Sequence, residues 1–438
     1  MRHEEIRDTG QIASDALAGG VRLVEDVHMA VAERVFRRVG DAGHPARAVH
    51  DAITTMVYGT VRGAHRVLPR VAATIVTTAV PSARSIHDSP QGLPVLAAVN
   101  GLWGDRIAAR APTLAIPMSI RLDGRDLVPT AADVRVAVAN STPRLAVFVH
   151  GLCETDRSWT RPRPDTASPA AAATYGDGLR SDLGYTPLLV RYNTGLHVSE
   201  NGRALALLLE RIVEAWPLVV QEVVLVGHSM GGLVARSACH YGDLDGSTWA
   251  SRVRHVVSLG TPHLGAPLEK ATNVAGWALA RWPESVPFAR LLIARSAGVK
   301  DLRFGAVIDD DWQGHDPDEF LRDRCREVPF LTNAHYYFVG ATIGRDPAGL
   351  AGRVLGDLLV RLPSASGDGR HRRIPFEIDH GHHLIGVNHF DLLNHPAVYD
   401  QLHQWLATAR TDRPSTSLTS QQETPRSAEA SSGRAETA

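Results

Sequence analysis

Cysteine is scarce in this sequence. Its 438 residues hold three, Cys153, Cys239 and Cys325. They are too few and too scattered for a disulfide framework, and no C-x-x-C spacing suggests zinc. Net charge is lacking too: 46 Lys and Arg stand against 47 Asp and Glu, leaving −1. That excludes the basic footprint of a nucleic-acid-binding surface. No run of about 18 apolar residues occurs, so no membrane-spanning helix is expected. The opening Met1-Arg-His-Glu-Glu-Ile6 has no apolar stretch of a secretory signal. A cytoplasmic protein is therefore expected, with peripheral membrane attachment as the alternative.

What is present is a serine in a particular setting. Residues 222–232 read Glu-Val-Val-Leu-Val-Gly-His-Ser-Met-Gly-Gly. An apolar run ends in Gly227-His228-Ser229-Met230-Gly231, and a helical-looking segment follows. G-x-S-x-G between strand and helix is a nucleophile elbow, which lifts the serine hydroxyl above the sheet end. Residues two before and two after the serine must be small. Gly227 and Gly231 meet that demand. The helix that follows aims its positive end at developing negative charge.

Three further segments fit a serine hydrolase. Upstream, Arg144-Leu-Ala-Val-Phe-Val-His150-Gly151-Leu152 reads as a buried strand ending in a loop. Such a loop supplies one oxyanion-hole amide, and the residue after the nucleophile supplies the other. Leu152 and Met230 are the expected donors. Fixed backbone amides suit the task because they are oriented before charge develops. His150 is read as a packing residue and Cys153 as a small buried side chain.

Downstream, His389 lies just before a C-terminal helix, where the general base of such an enzyme belongs. The chain holds 21 histidines; His380, His382, His383 and His395 compete nearby, with a metal site as their rival reading. The acid that would orient His389 is expected at Asp357, after the strand Tyr336–Thr342, with Asp379 and Asp368 as alternatives. The triplet Asp309–Asp311 lacks the ligand spacing of a calcium loop and reads as a solvated turn.

Several of these segments resemble the α/β-hydrolase superfamily, in the branch of bacterial esterases and lipases similar to GPI inositol-deacylase-like lipases. They are Val147-Phe-Val-His-Gly-Leu152, Leu189-Val-Arg-Tyr-Asn-Thr-Gly195, Val226–Gly232, Leu259-Gly-Thr-Pro-His-Leu-Gly-Ala-Pro267, Gly356-Asp-Leu-Leu-Val360 and Asn388-His-Phe-Asp-Leu-Leu393. The resemblance implies Ser229 as nucleophile, Asp357 as acid and His389 as base, with the oxyanion held near Leu152 and Met230. One departure stands out: such enzymes commonly show Gly-Asp-Gly before the apolar pair, and Leu358 replaces the second glycine. The implied activity is carboxylic-ester hydrolysis through an acyl-enzyme, without cofactor or metal, on a small-molecule or lipid ester. Acyl transfer by the same residues is one alternative. A non-catalytic scaffold that binds a partner or membrane through residues 1–110 is the other.

The expected fold is α/β, a mainly parallel sheet with helices on both faces. Residues 1–110 read as a helical accessory region. In it Ile12, Leu17, Val21, Val24, Val31 and Val35 recur near helical spacing and are expected to be buried mutually, rather than to form a membrane-surface face. Residues 111–410 read as the hydrolase domain. Its opening strands are expected at Leu114–Leu122 and Val134–Val138, and a cap insertion at 266–332 would line an acyl pocket with Trp277 and Leu292. Residues 411–438 are rich in Thr, Ser, Glu and Pro and cannot bury enough surface to order themselves.

Overall fold

The computed structural model describes residues 1–39, 44–79, 85–138, 141–161, 174–283, 285–343, 357, 359–369 and 372–408. The tail expected to be disordered, 411–438, and most of the loop around residue 165 lie outside them. Eight strands form one sheet: β1 (Ser119–Leu122), β2 (Arg125–Leu127), β3 (Arg144–Val149), β4 (Thr186–Arg191), β5 (Glu222–His228), β6 (Val253–Leu259), β7 (His335–Thr342) and β8 (Gly381–Ile385). Their order is β2-β1-β4-β3-β5-β6-β7-β8. From β4 to β8 all pairings are parallel, and β1 runs antiparallel to both β2 and β4.

Thirteen described helices accompany the sheet. Before β4 lie α1 (His3–Val39), α2 (His44–Ala79), α3 (Gly92–Arg110), α4 (Ala131–Ala137) and α5 (Tyr175–Leu183). α6 (Val198–Ala215), α7 (Met230–Leu244) and α8 (Thr248–Arg252) fall between β4 and β6. Between β6 and β7 come α9 (Pro267–Leu279), α10 (Val286–Ile293) and α11 (Ala297–Asp301). α12 (Leu362–Ala365) and α13 (Pro396–Thr408) end the series.

The central strands are buried on both faces, as their unbroken apolar runs require. Leu145, Val147 and Val149 of β3 join one core with Leu205 and Leu209 of α6 and Leu233 of α7. Ala146 and Phe148 face the other way, to Leu179 of α5 and Leu402 and Leu406 of α13. The expected core strands all form. Two other expectations fail. Val134–Val138 is not a strand: α4 takes its place, because Thr130 caps the helix by accepting from the Asp133 N–H, and only Val134 within it is buried. Leu114 lies in a 3₁₀ turn, and β1 starts at Ser119. β8, with its Gly-His-His-Leu-Ile sequence, has no apolar run to announce it and forms by pairing with β7.

The N-terminal helices also differ from expectation. α1 and α2 meet through small residues. Gly10, Ala18, Ala32 and Ala73 are buried, and a Cβ on Gly10 would stand 2.7 Å from that of Ala73. Leu17, Val24, Val31 and Val35 are exposed, so mutual burial of the apolar stripe does not occur there. α3 seats this region on the loops after β3 and β4, packing Gly101 on Cys153 and Gly104 on Asn193. Asp311 is no solvated turn. It is buried and accepts from the amides of Val307, Ile308 and Arg326 at 2.8, 3.1 and 2.8 Å.

Candidate active site

Ser229 occupies the single residue between β5 and α7, with φ 53° and ψ −124°. A side chain held at positive φ costs on the order of 1–3 kcal/mol and persists only when its surroundings enforce it. Here the Ser229 N–H donates to the Leu259 carbonyl at 2.8 Å, and its own carbonyl accepts from Gly232 at 3.1 Å. The turn is as tight as the motif implies. A Cβ on Gly227 would lie 2.5 Å from Gly232 Cα, and one on Gly231 would lie 2.1 Å from the Val149 carbonyl.

His389 stands beside this turn. Its Nδ1 lies 2.7 Å from Oδ2 of Asp357, and both residues are buried. The backbone doubles the link: the His389 N–H donates to the Asp357 carbonyl at 3.1 Å. The other carboxylate oxygen of Asp357 accepts from the amides of Leu359 and Val360 at 3.0 and 2.7 Å. Asp357 is thus an acceptor on both oxygens, which leaves His389 Nδ1 as donor and Nε2 free to accept. Nε2 is buried and has no hydrogen-bond partner among the described residues. The His389 ring covers Gly260, which follows the Leu259 that holds Ser229: a Cβ on Gly260 would come within 3.0 Å of its Cε1. Asp368 and Asp379, the rival acids, are exposed, and Asp368 pairs with Arg373.

The loop after β3 brings Gly151 against the serine. A Cβ there would lie 3.0 Å from Ser229 Cβ. Leu152 follows Gly151 directly. The Met230 N–H is the first of α7, so no acceptor exists for it inside its own helix. His150 is buried and stacked on Tyr192 with ring centroids 4.4 Å apart, the packing role expected of it. Burial pushes the Cys153 thiol up to about 11, which suits a neutral side chain rather than a nucleophile.

Two residues that motif reading did not single out complete the site. Glu154 is buried and accepts from the Gly151 N–H at 2.8 Å. The same oxygen lies 3.1 Å from Nδ1 of His228. Nε2 of His228 reaches the carbonyl of His389 at 3.0 Å. Burial disfavours the Glu154 charge, yet the His228 charge, its hydrogen bond and the Gly151 amide outweigh that and hold the carboxyl down to about 2. For His228 burial again opposes the charge, and Glu154 and the His389 carbonyl raise its pKa above the ordinary histidine value. Both neighbours of the ring are acceptors, so a fully satisfied His228 carries a proton on each nitrogen. In the sequence the two are polar residues of separate candidate loops, Glu154 after β3 and His228 before Ser229, and nothing marks them as partners.

The competing histidines lie elsewhere. His383 of β8 bonds Thr342 Oγ1 at 3.1 Å, and Nδ1 of His395 accepts from the Ala397 N–H at 3.2 Å. Among the described residues one group has donor atoms within 4.8 Å of one another: His335, Glu377 and His380. His335 opens β7, so this group sits at the strand end opposite the elbow. Trp277 and Leu292, expected to line an acyl pocket, lie on α9 and α10. The Trp277 ring packs on Phe320 at 4.6 Å and under Arg281 at 3.9 Å.

Residues 171–277 match the model of the PGAP1-like alpha/beta domain family. That segment carries β4, β5 and β6, the elbow, and three of the motifs on which the resemblance was drawn. The fold is that of the α/β-hydrolases. Among solved structures, the chain is similar to the mature lipase BlEst2 of Bacillus licheniformis, with 20% identity over 60% of this chain and 91% of that one, at a TM-score of 0.38. It is similar to the Pyrobaculum calidifontis esterase at 13% identity, over 62% and 77% of the two chains and a TM-score of 0.32. For phospholipase PlaB of Legionella pneumophila the values are 15%, 51%, 45% and 0.31. A search of the curated proteins found no match.

Proposed function

We propose that this protein is a serine carboxylic-ester hydrolase, of esterase or lipase type, that works through an acyl-enzyme. The observation that carries the reading is Ser229 strained at φ 53° between strand and helix, beside a buried His389–Asp357 pair at 2.7 Å. In this mechanism His389 Nε2 takes the Ser229 proton as Oγ attacks the acyl carbonyl. Asp357 fixes the tautomer and stabilises the imidazolium. The amides of Leu152 and Met230 receive the oxyanion. The tetrahedral intermediate expels the alcohol, which leaves with the proton from His389. Water then attacks the acyl-enzyme by the same route, releasing the carboxylic acid and restoring Ser229. The unpartnered Nε2 fits this role, since the catalytic hydrogen bond of such a base commonly tightens only when substrate binds.

Labelling by a fluorophosphonate probe, beside hydrolysis of p-nitrophenyl esters from acetate to palmitate, tests the proposal. Labelling of the parent protein that Ser229→Ala abolishes is the expected result. A folded parent that neither labels nor turns over any ester of the panel would overturn it.

A further inference from the structure

A cavity of about 750 Å³ lies between α1, α3 and α10, within the size range of about 300–1,000 Å³ usual for small-molecule sites. Its floor is apolar: Ile12 and Leu23 from α1, Val99, Trp103 and Ile107 from α3, and Pro287 from α10. α3 forms the wall between this cavity and the elbow. One face of the helix sets Gly101 against Cys153 and Gly104 against Asn193. Val99, Trp103 and Ile107 face the cavity instead, with Trp103 at a kink of the helix, φ −141° and ψ 22°. Ser296 fastens the wall by donating from its hydroxyl to the Gly101 carbonyl at 2.6 Å.

Two features indicate an occupant. First, α1 presents adjacent glycines, Gly19 and Gly20, to the cavity. Glycine weakens a helix interior, and here no neighbour demands it: a Cβ on either would meet nothing within 4 Å. The pair keeps the volume open. Second, the rim is cationic. Four arginines, Arg22, Arg106, Arg110 and Arg290, stand against two aspartates, Asp15 and Asp26. Arg290 pairs with Asp26 at 2.7 Å and Arg110 faces Asp15 at 3.6 Å. The Arg22 and Arg106 side chains have no acidic partner among the described residues. An apolar floor beneath two uncompensated guanidinium groups complements a molecule with one acyl chain and one anionic head.

We infer that this cavity binds an anionic amphiphile, its acyl chain on the floor between α1, α3 and α10 and its carboxylate or phosphate head at Arg22 and Arg106. The site stands apart from the ester-hydrolase reading, because α3 separates it from Ser229.

Titration calorimetry on the full chain tests this with laurate and dodecyl phosphate, each below its micelle concentration. Binding of laurate alone assigns the head as a carboxylate, and of dodecyl phosphate alone as a phosphate; either upholds the site, and binding of neither overturns it. Each methylene removed should weaken binding about fourfold, so octanoate falls about two hundredfold below laurate. Dodecyltrimethylammonium should bind at least tenfold more weakly than the anions, and Arg22→Glu with Arg106→Glu should reverse that order. Gly19→Leu with Gly20→Leu adds side chains where a Cβ meets nothing within 4 Å and should abolish binding while the circular dichroism spectrum is kept. Ser229→Ala should leave the affinity unchanged. Laurate binding that survives the filled cavity, or that disappears in Ser229→Ala, would place the chain elsewhere and overturn the inference. Failure of fluorophosphonate labelling bears on the hydrolase proposal and leaves these results unaffected.

Discussion

The carboxylate of Glu154 lies 3.1 Å from Nδ1 of His228, and both side chains are buried. Through this pair the loop after β3 is joined to the loop that carries His389. Gly151 donates to Glu154, and His228 donates onward to the His389 carbonyl. One buried ion pair therefore sets the spacing between the candidate oxyanion amides and the candidate base. Glu154 and His228 are positioning residues in this scheme.

Glu154→Gln should lower stability at pH 7 by roughly 3–5 kcal/mol, because it leaves the buried His228 without its counter-charge. The Glu154 carboxyl is held down to about 2 in the folded protein, below its ordinary value near 4.3. A depressed carboxylate stabilises above the unfolded pKa and loses that contribution as pH falls through the folded one. The gap between parent and variant should thus be full near pH 6 and shrink between about pH 4 and pH 2. For His228 the shift is upward, so its contribution is present at low pH and fades as pH rises through the folded value. Thermal melting of both proteins across pH 2–9 checks this; a gap constant over the acid range would show that Glu154 acts through packing alone.

Substitution of the elbow serine should separate strain from chemistry. Ser229→Ala and Ser229→Gly should each cut ester turnover by about 10⁴–10⁶. Glycine tolerates φ 53° and alanine does not, so Ser229→Gly should melt above Ser229→Ala by an equivalent of roughly 1–2 kcal/mol. Calorimetry on the two variants decides it, and equal stabilities would mean that the turn is not strained.

The acids can be ranked directly. Asp357→Asn should reduce turnover by roughly 10²–10⁴ while keeping the fold, since it removes the acceptor that fixes His389. Asp368→Asn and Asp379→Asn alter exposed side chains and should stay within about tenfold of the parent. Steady-state kinetics on matched folded variants are the measurement; a reversed order would move the acid.

Removal of residues 1–110 should make the remaining chain aggregate. α3 covers Cys153 and Asn193, and its loss bares the surface beside the candidate oxyanion loop. Removal of residues 1–79 alone should be better tolerated, because much of the apolar surface of α1 and α2 already faces solvent. Solubility of the two truncated chains, with vesicle co-sedimentation of the full one, tests this. Vesicle binding by the full chain that loss of 1–79 abolishes would make those exposed faces a membrane-docking surface.

Local chemistry determined much of this protein from sequence alone. Unbroken apolar runs specified β3, β5 and β6, because a strand covered on both faces needs no alternation. The glycines around Ser229 announced the elbow, because only small residues fit two positions either side of so sharp a turn. Chain order offered His389 and Asp357 as the candidate base and acid. Tertiary structure decided the rest. β8 exists because β7 offers it an edge, not because Gly-His-His-Leu-Ile favours a strand. Val134–Ala137 became helical once Thr130 capped α4. Which of the three carboxylates stands beside His389 was decided there too: Asp357 is carried within 2.7 Å of it, and Asp368 and Asp379 are exposed. Glu154 and His228 are 74 residues apart, and a polar pair at that separation has no periodic signature in sequence. The cavity behind α3 likewise arises only where three helices meet, since no single helix records how much space its neighbours leave.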